Sequence, residues 1–395
     1  MAQNNQQLTA LSSNGSAGRA SVISAAQAII HAAQSAQDLY VHFAVNKCEI
    51  IVMRLFLKWD AIQEIPLQGS ISFSELAVKI GAEEGLVARL SRMLVASGML
   101  TLAGSDRVAH THRSRMIAED ALFRSTAKLI LYEDFPQPAG TPEYFDHYGR
   151  REPAGKTHTP YSFRKGQPDK PVFELIHAQP GLLQIFMEAM SRTQDFLATS
   201  YDASCIARDD DDQHHHHDAD DVDDDDDEVA RAVVVVPGDR RRKRPLLVDV
   251  GGGAGRTLKA ILSQTPGLAP ERCVLQDRPE VIERSKGDQD PGLRGAKAYL
   301  MRRCLHDYGD SECVGMLRQI KEAMDSNSTL LIMEMVLLPD SPPFCYAMDM
   351  AMMGIAGKER TLDDWRALTE EAGLKISKTV PAPGIGLSVL ECVKA

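Results

Sequence analysis

The stretch Leu246–Arg256, LLVDVGGGAGR, constrains this chain more than any other. An apolar run ending in Asp249 passes into a glycine cluster, and a helix-forming segment, Thr257–Ser263, follows. That order describes a buried strand, a tight turn with no side chains to obstruct the backbone, and a helix whose free N–H groups and positive dipole end face whatever the turn cradles. It is the pattern of a nucleotide-type cofactor site.

The residues after it keep the rhythm. CVLQD (Cys273–Asp277) is followed by a short helix from Pro279, AKAYLM (Ala296–Met301) by the helix Ser311–Met324, and TLLIMEM (Thr329–Met335) by a loop and the helix Thr361–Ala372. Two last strands are expected near Lys375–Val380 and Leu387–Val393. Apolar strands alternating with helices predict an α/β fold, a mostly parallel sheet covered on both faces, with the closing strand pair adding an antiparallel last strand.

The N-terminal half reads differently. Residues 1–19 form a polar lead expected to be disordered, and two strongly apolar helical patterns follow, Ala20–Gln37 and Asp38–Ile65, too apolar to stand alone. Ser72-Phe73-Ser74-Glu75 is a capping box opening a helix through Ile80; Gly85–Ser97 is a second helix, and Met99–Leu102 with Val108–Thr111 a short hairpin. Helix, turn, helix, hairpin predicts a winged helix within 20–120. Its second helix offers only Arg89 and Arg92, which favours a protein contact over DNA. Residues 121–205 are expected to be a helical connector on the substrate side, with a Pro/Gly-rich loop at Pro136–Pro168 and a helix near Pro180–Ser200. The stripe on that helix, which includes Met187, reads either as core or as one wall of an aromatic pocket.

Composition narrows the function classes. The formal net charge is −11, of which −13 lies in Asp209–Glu228, so the rest of the chain carries +2 and implies neither nucleic acid nor a charged membrane surface. That acidic run and the basic cluster Asp239–Arg244 predict a disordered insertion over 206–244, leaving 245–395 as the catalytic domain. The four histidines within the run lack fixed geometry, so no metal site is expected there. The seven cysteines show no CxxC pairing, which points to reduced thiols. Without a secretory pattern or an apolar run long enough to span a bilayer, a cytoplasmic protein is expected.

The glycine spacing, Gly251, Gly253 and Gly255, is GxGxG and departs from the nicotinamide fingerprint. Asp277 ends the second strand on the same sheet edge, where a carboxylate accepts ribose hydroxyls. His306 follows the third strand, Glu334 ends the fourth, and Glu359 precedes the following helix, so all three should face the crevice of the glycine turn. A histidine between carboxylates is a general-base arrangement.

Taken together, the winged-helix N-terminal region, VDVGGGAG, VLQDRPEVIE, the HDY element at His306, Glu334-Met335 and MDMAMMGIAGKERT with Trp365 resemble the S-adenosylmethionine-dependent O-methyltransferases of the plant caffeate type and of fungal secondary metabolism. The resemblance implies a Rossmann-like methyltransferase sheet, a homodimer through the N-terminal domain, a small-molecule hydroxyl substrate and S-adenosylmethionine as cofactor. By position it implies His306 as base, flanked by Glu334 and Glu359 holding the imidazole; Asp249, Gly251, Gly253 and Gly255 at the cofactor's amino acid part; Asp277 at its ribose and Arg302 nearby; and Asp349, Met350 and Met353 near the substrate.

One interval departs from the family. Asp277 and His306 are 29 positions apart, and the polar ERSKGDQDPGLRG between them leaves no room for the strand whose end binds the adenine. Either Asp288 or Asp290 substitutes from a loop, or adenine binding is impaired and the chain acts as a dimeric binding protein.

Overall fold

The computed structural model describes residues 15–134, 140–196, 201–207, 244–253, 255–277, 294–381 and 387–395. These fall into two compact units, one of residues up to Pro136 together with Gly181–Arg192, the other of Gln137–Pro180 and Thr193 onward. The stretch 121–205 is thus divided between them.

The first unit begins with helices Gly15–Ala33 and Ala36–Lys58. The break between them falls at Ser35, which caps the second helix through a reciprocal pair with Asp38. The sequence pattern places this break at Gln37–Asp38, a few residues later. The first helix starts at Gly15, inside the lead expected to be disordered. Strands β1 (Ile71–Ser72), β2 (Leu100–Leu102) and β3 (Arg107–His110) form a small sheet in the order β1-β3-β2 around helices Phe73–Ile80 and Glu84–Ala96, matching the expected helix, helix and hairpin. Ser72 and Glu75 cap each other as anticipated. Phe56, Leu57, Ile62, Leu76, Val87, Leu94 and Val108 make the core of this unit.

The second unit is built on β4 (Leu247–Val250), β5 (Cys273–Gln276), β6 (Ala298–Arg302), β7 (Thr329–Glu334), β10 (Leu374–Val380) and β11 (Ser388–Lys394), in the order β10-β11-β7-β6-β4-β5. β5, β4, β6 and β7 are parallel, and β11 is antiparallel to both of its neighbours. Strand alternation splits the apolar residues between two faces. Val248, Tyr299, Met301, Leu330 and Ile332 pack with Leu317, Trp365 and Leu368 from helices Asp310–Ala323 and Leu362–Glu371. Leu247, Ala298, Leu300, Leu331 and Met333 pack with Leu258 and Cys345 from helices Arg256–Gln264 and Pro343–Met353. This is the doubly covered α/β sheet that the alternating strands and helices require.

Two further strands, β8 (Val336–Leu337) and β9 (Arg360–Thr361), pair in parallel just beyond β7. The stretch expected as an irregular loop carries the helices Thr141–Tyr148 and Pro160–Arg164. Ile206 and Ala207, assigned to the insertion, close a short helix, Ser204–Ala207. The acidic run, the helix expected from Pro279 and the interval bearing Asp288 and Asp290 lie outside the described residues. Among the described residues no helix is long and apolar enough to cross a membrane, and the seven cysteines are free thiols.

Candidate active site

The glycine turn bends because its glycines take backbone angles that other residues avoid. Gly251, Gly253 and Gly255 have φ of 72°, 60° and 73°. Gly252, not singled out in the sequence, is as constrained: a Cβ there would lie 2.6 Å from Asp249 Cγ. The turn is tied to the next strand end, with the Gly251 N–H donating to Gln276 O at 2.7 Å and the Gly253 N–H to Asp277 Oδ2 at 2.8 Å. Asp277 therefore supports the turn from the position expected to meet a ribose.

Beneath the turn Asp249 is buried, and its Oδ2 has no hydrogen-bond partner among the described residues. Burial, reinforced by the charge of Asp277, pushes its carboxyl up to about 7, against the opposing pull of Arg302 and the Leu258 N–H. Arg302 Nη1 reaches Thr257 Oγ1 at 3.4 Å. A buried carboxylate oxygen without a donor, under a turn that tolerates no side chain, fits the ammonium group of an amino acid. These residues can therefore hold the methionine end of S-adenosylmethionine.

The second half of the site lies where β6 and β7 end. Leu305–Asp307 forms a single helical turn carrying His306, which is buried. Glu334 Oε1 accepts from the N–H groups of Cys304, Leu305 and His306 at 2.9, 3.0 and 3.4 Å. Sequence reasoning expected Glu334 to hold the imidazole; it holds the backbone of the histidine turn instead. Glu359 does meet the ring, with Oε1 3.2 Å from His306 Nδ1. On the other side Asp307 Oδ1 is 3.3 Å from Nε2. Pairing of Val336 with Arg360 brings the chain after Glu334 beside the chain after Glu359, which is why two carboxylates 25 positions apart converge.

Several supports were not anticipated. Arg303 Nη1 lies 2.8 Å from Glu359 Oε1 and 3.6 Å from Glu334 Oε2. Arg360, fully buried, donates to Leu305 O, Tyr308 O and Asp310 Oδ1 at 3.2, 2.9 and 2.7 Å, clamping the histidine turn from behind. The Lys358 N–H donates to His306 O at 2.8 Å, and a Cβ on Gly357 would press on His306 O and lie 2.9 Å from Asp307 C. Asp349 Oδ1 accepts from the Glu359 N–H at 3.0 Å, so it braces the loop that presents Glu359. Met350 and Met353 share the helix Pro343–Met353 with Asp349, Met350 being half-exposed, whereas Met187 belongs to the other unit and is half-exposed.

The charges are strongly coupled. Burial and the charge of Arg303 push the imidazole of His306 down, but Asp307, Glu334 and the bond to Glu359 outweigh them, leaving it above its ordinary value. Burial pushes Glu359 up, yet the hydrogen bond and charge of His306, with Arg303, draw it down to about 2. Glu334 and Asp307 are both raised, chiefly by burial. Chemically this is an imidazole with a carboxylate at each ring nitrogen, Glu359 at Nδ1 and Asp307 at Nε2, so it exchanges a proton at Nε2 where another group takes the place of Asp307.

Comparison with known proteins follows the same lines. An O-methyltransferase domain family matches residues 201–375. Methyltransferase cfoD of Aspergillus candidus is 29% identical over 95% of this chain and 92% of its own length. Methyltransferase pvhD of Talaromyces variabilis is 32% identical over 88% of this chain and 93% of its own. Among solved structures, OxaC in complex with SAH and oxaline superposes with a TM-score of 0.80 at 18% identity, covering 100% of this chain and 98% of that one, a likeness of fold.

Proposed function

We propose, since the chain belongs to the S-adenosylmethionine-dependent O-methyltransferase family, that it methylates a hydroxyl of a small aromatic or polyketide-like metabolite with His306 as general base. The observation that carries this reading is the bond from His306 Nδ1 to Glu359 Oε1 at 3.2 Å in a buried pocket of carboxylates. Glu359 fixes Nδ1, and the ring acts as base when a phenolic or enolic hydroxyl takes the place of Asp307 Oδ1, 3.3 Å from Nε2, and gives up its proton there. Glu334 and Arg360 hold the turn so that the ring does not swing. When bound, S-adenosylmethionine supplies a methyl group on a sulfonium sulfur that departs as a neutral thioether. Asp249 with the turn Gly251–Gly255 would hold its amino acid part, with Asp277 and Arg302 alongside, a reading supported by the unpartnered Asp249 Oδ2 and by OxaC, which carries SAH on the same fold. Asp349, Met350 and Met353 are assigned to the acceptor's surroundings.

The same proposal assigns residues 20–120 to homodimerisation, 121–205 to a substrate-side connector and 245–395 to methyl transfer, in the cytoplasm. Exposed apolar side chains on the first two helices, Ile29, Tyr40 and Phe43 among them, support a partner there. Free thiols agree with a reducing compartment.

His306→Ala, assayed with methyl-labelled S-adenosylmethionine and a panel of phenols and enols, should lose at least about 100-fold in turnover while cofactor affinity is kept. Undiminished turnover would sink the assignment. The short interval between Asp277 and His306 supports a second reading, a homologue impaired in adenine binding that acts as a dimeric binding protein, and cofactor titration separates the two.

A further inference from the structure

Arg302 ends β6 and Arg303 follows it, and their guanidiniums part. Arg302 turns towards Thr257 and the cofactor side, whereas Arg303 lies among the carboxylates around His306. Arg303 has φ of 49°, the left-handed region that a long side chain takes at a cost. Its N–H donates to Met333 O at 3.1 Å, so the neighbouring strand locks that departure. The guanidinium is thereby aimed inward, and its side chain is only 13% exposed.

Its position relative to Glu359 is the telling feature. Glu359 Oε1 lies 2.8 Å from Arg303 Nη1 and 3.2 Å from His306 Nδ1, so one carboxylate oxygen serves two donors and the shorter bond is to the arginine. The groups facing His306 are Glu359 at Nδ1, Asp307 at Nε2, Glu334 under its backbone and Arg303. Three carboxylates and one permanent cation surround the ring. Without the cation, the imidazole would be the first group to take up a proton in compensation, and a protonated imidazole accepts nothing from a substrate.

We propose that Arg303 is a positioning residue of the transfer site: by sharing Glu359 Oε1 with His306 it fixes the carboxylate and restrains proton uptake by the imidazole, keeping the ring able to act as base. This rests on the reading of His306 as the base, and it goes further by naming the group that sets the working pH of that base.

The test uses the full-length protein. The ring of His306 is titrated by nuclear magnetic resonance, its signal assigned by its loss in His306→Gln, in wild type, Arg303→Gln and Arg303→Lys. Arg303→Gln should raise the His306 titration by about one pH unit or more and carry the acid limb of kcat up with it, costing about tenfold in rate on that limb. Arg303→Lys, which keeps the charge, should titrate within a few tenths of a pH unit of wild type. A folded Arg303→Gln with His306 titrating as in wild type would overturn the proposal, as would Arg303→Lys moving as far as Arg303→Gln. If Arg303→Gln is insoluble, the charge-balanced comparison of Glu359→Gln with Arg303→Gln/Glu359→Gln decides the same point: the double variant must titrate above the single one. Undiminished turnover in His306→Ala would sink the base itself, whereas the ring titration judges Arg303 alone, so the two failures are distinct.

Discussion

Replacing Asp249 by Asn should make the protein more stable and unable to bind its cofactor. Asp249 is 1% exposed, with one oxygen unpartnered among the described residues. Burial first, then Asp277, raises its carboxyl from 3.8 to about 7. A carboxyl whose folded value lies above its unfolded value binds more protons in the folded state, so stability falls as pH rises from 3.8 towards 7 and the loss is complete above that window. A window of that width corresponds to about 4 kcal/mol. Asn removes the charge but leaves a buried amide group short of a partner, at about 1–3 kcal/mol, so a net gain of about 2 kcal/mol is expected at pH 8. For a domain of this size that is about 4–8 °C in Tm. Thermal unfolding without ligand at pH 5 and pH 8 reads it directly: Asp249→Asn should melt above wild type at pH 8, with the gap shrinking at pH 5, and S-adenosylmethionine should raise the Tm of wild type only. A variant melting at or below wild type at pH 8 would refute the reasoning, because the carboxylate would then be neither strained nor held for a ligand.

Three other perturbations follow from the same geometry. Gly357→Ala should cost about 2 kcal/mol or more and at least tenfold in kcat, since its Cβ must displace backbone at His306 and Asp307 rather than a flexible side chain; unfolding curves and turnover check both. Arg360→Met should lower stability by about 3 kcal/mol or more, because Leu305 O, Lys358 O, Tyr308 O and the Asp310 carboxylate lose a fully buried cationic donor; a denaturant midpoint within error of wild type would contradict the clamp. The acid limb of kcat should lie above the ordinary 6.5 of histidine, since His306 must be unprotonated and its pKa is raised. By linkage its contribution to stability is complete below 6.5 and is lost as pH rises through the folded value; a pH–rate profile with its acid limb below 6 would count against the assignment.

Much of the fold is legible in the sequence. The strands of the larger sheet announce themselves by short apolar runs, and the placement of His306 and Glu359 follows because ligands of such sheets meet strand ends. The sequence places Glu334 correctly but not its partner, since only the fold shows that the histidine turn offers three N–H groups to one oxygen. Arg303 escapes notice for a physical reason: an arginine at a strand end reads as a solvated cation, and the left-handed backbone that turns it inward has no sequence signal. Gly252 and Gly357 are required by what lies against them, Asp249 in one case and the His306 turn in the other, and the pattern of neighbouring residues does not reveal such contacts. The helix Thr141–Tyr148 is hidden because it buries one side chain, Tyr144, and so has no apolar stripe, although Pro142 marks its first turn.

The claim on which the rest depends is that the turn after β4, with Asp249 beneath it, holds S-adenosylmethionine. Isothermal titration of the full-length protein with S-adenosylmethionine tests it most directly. Binding is expected at one site per chain in the micromolar range, lost in Asp249→Asn. No detectable binding to wild type, by heat or by a change in Tm, would contradict it.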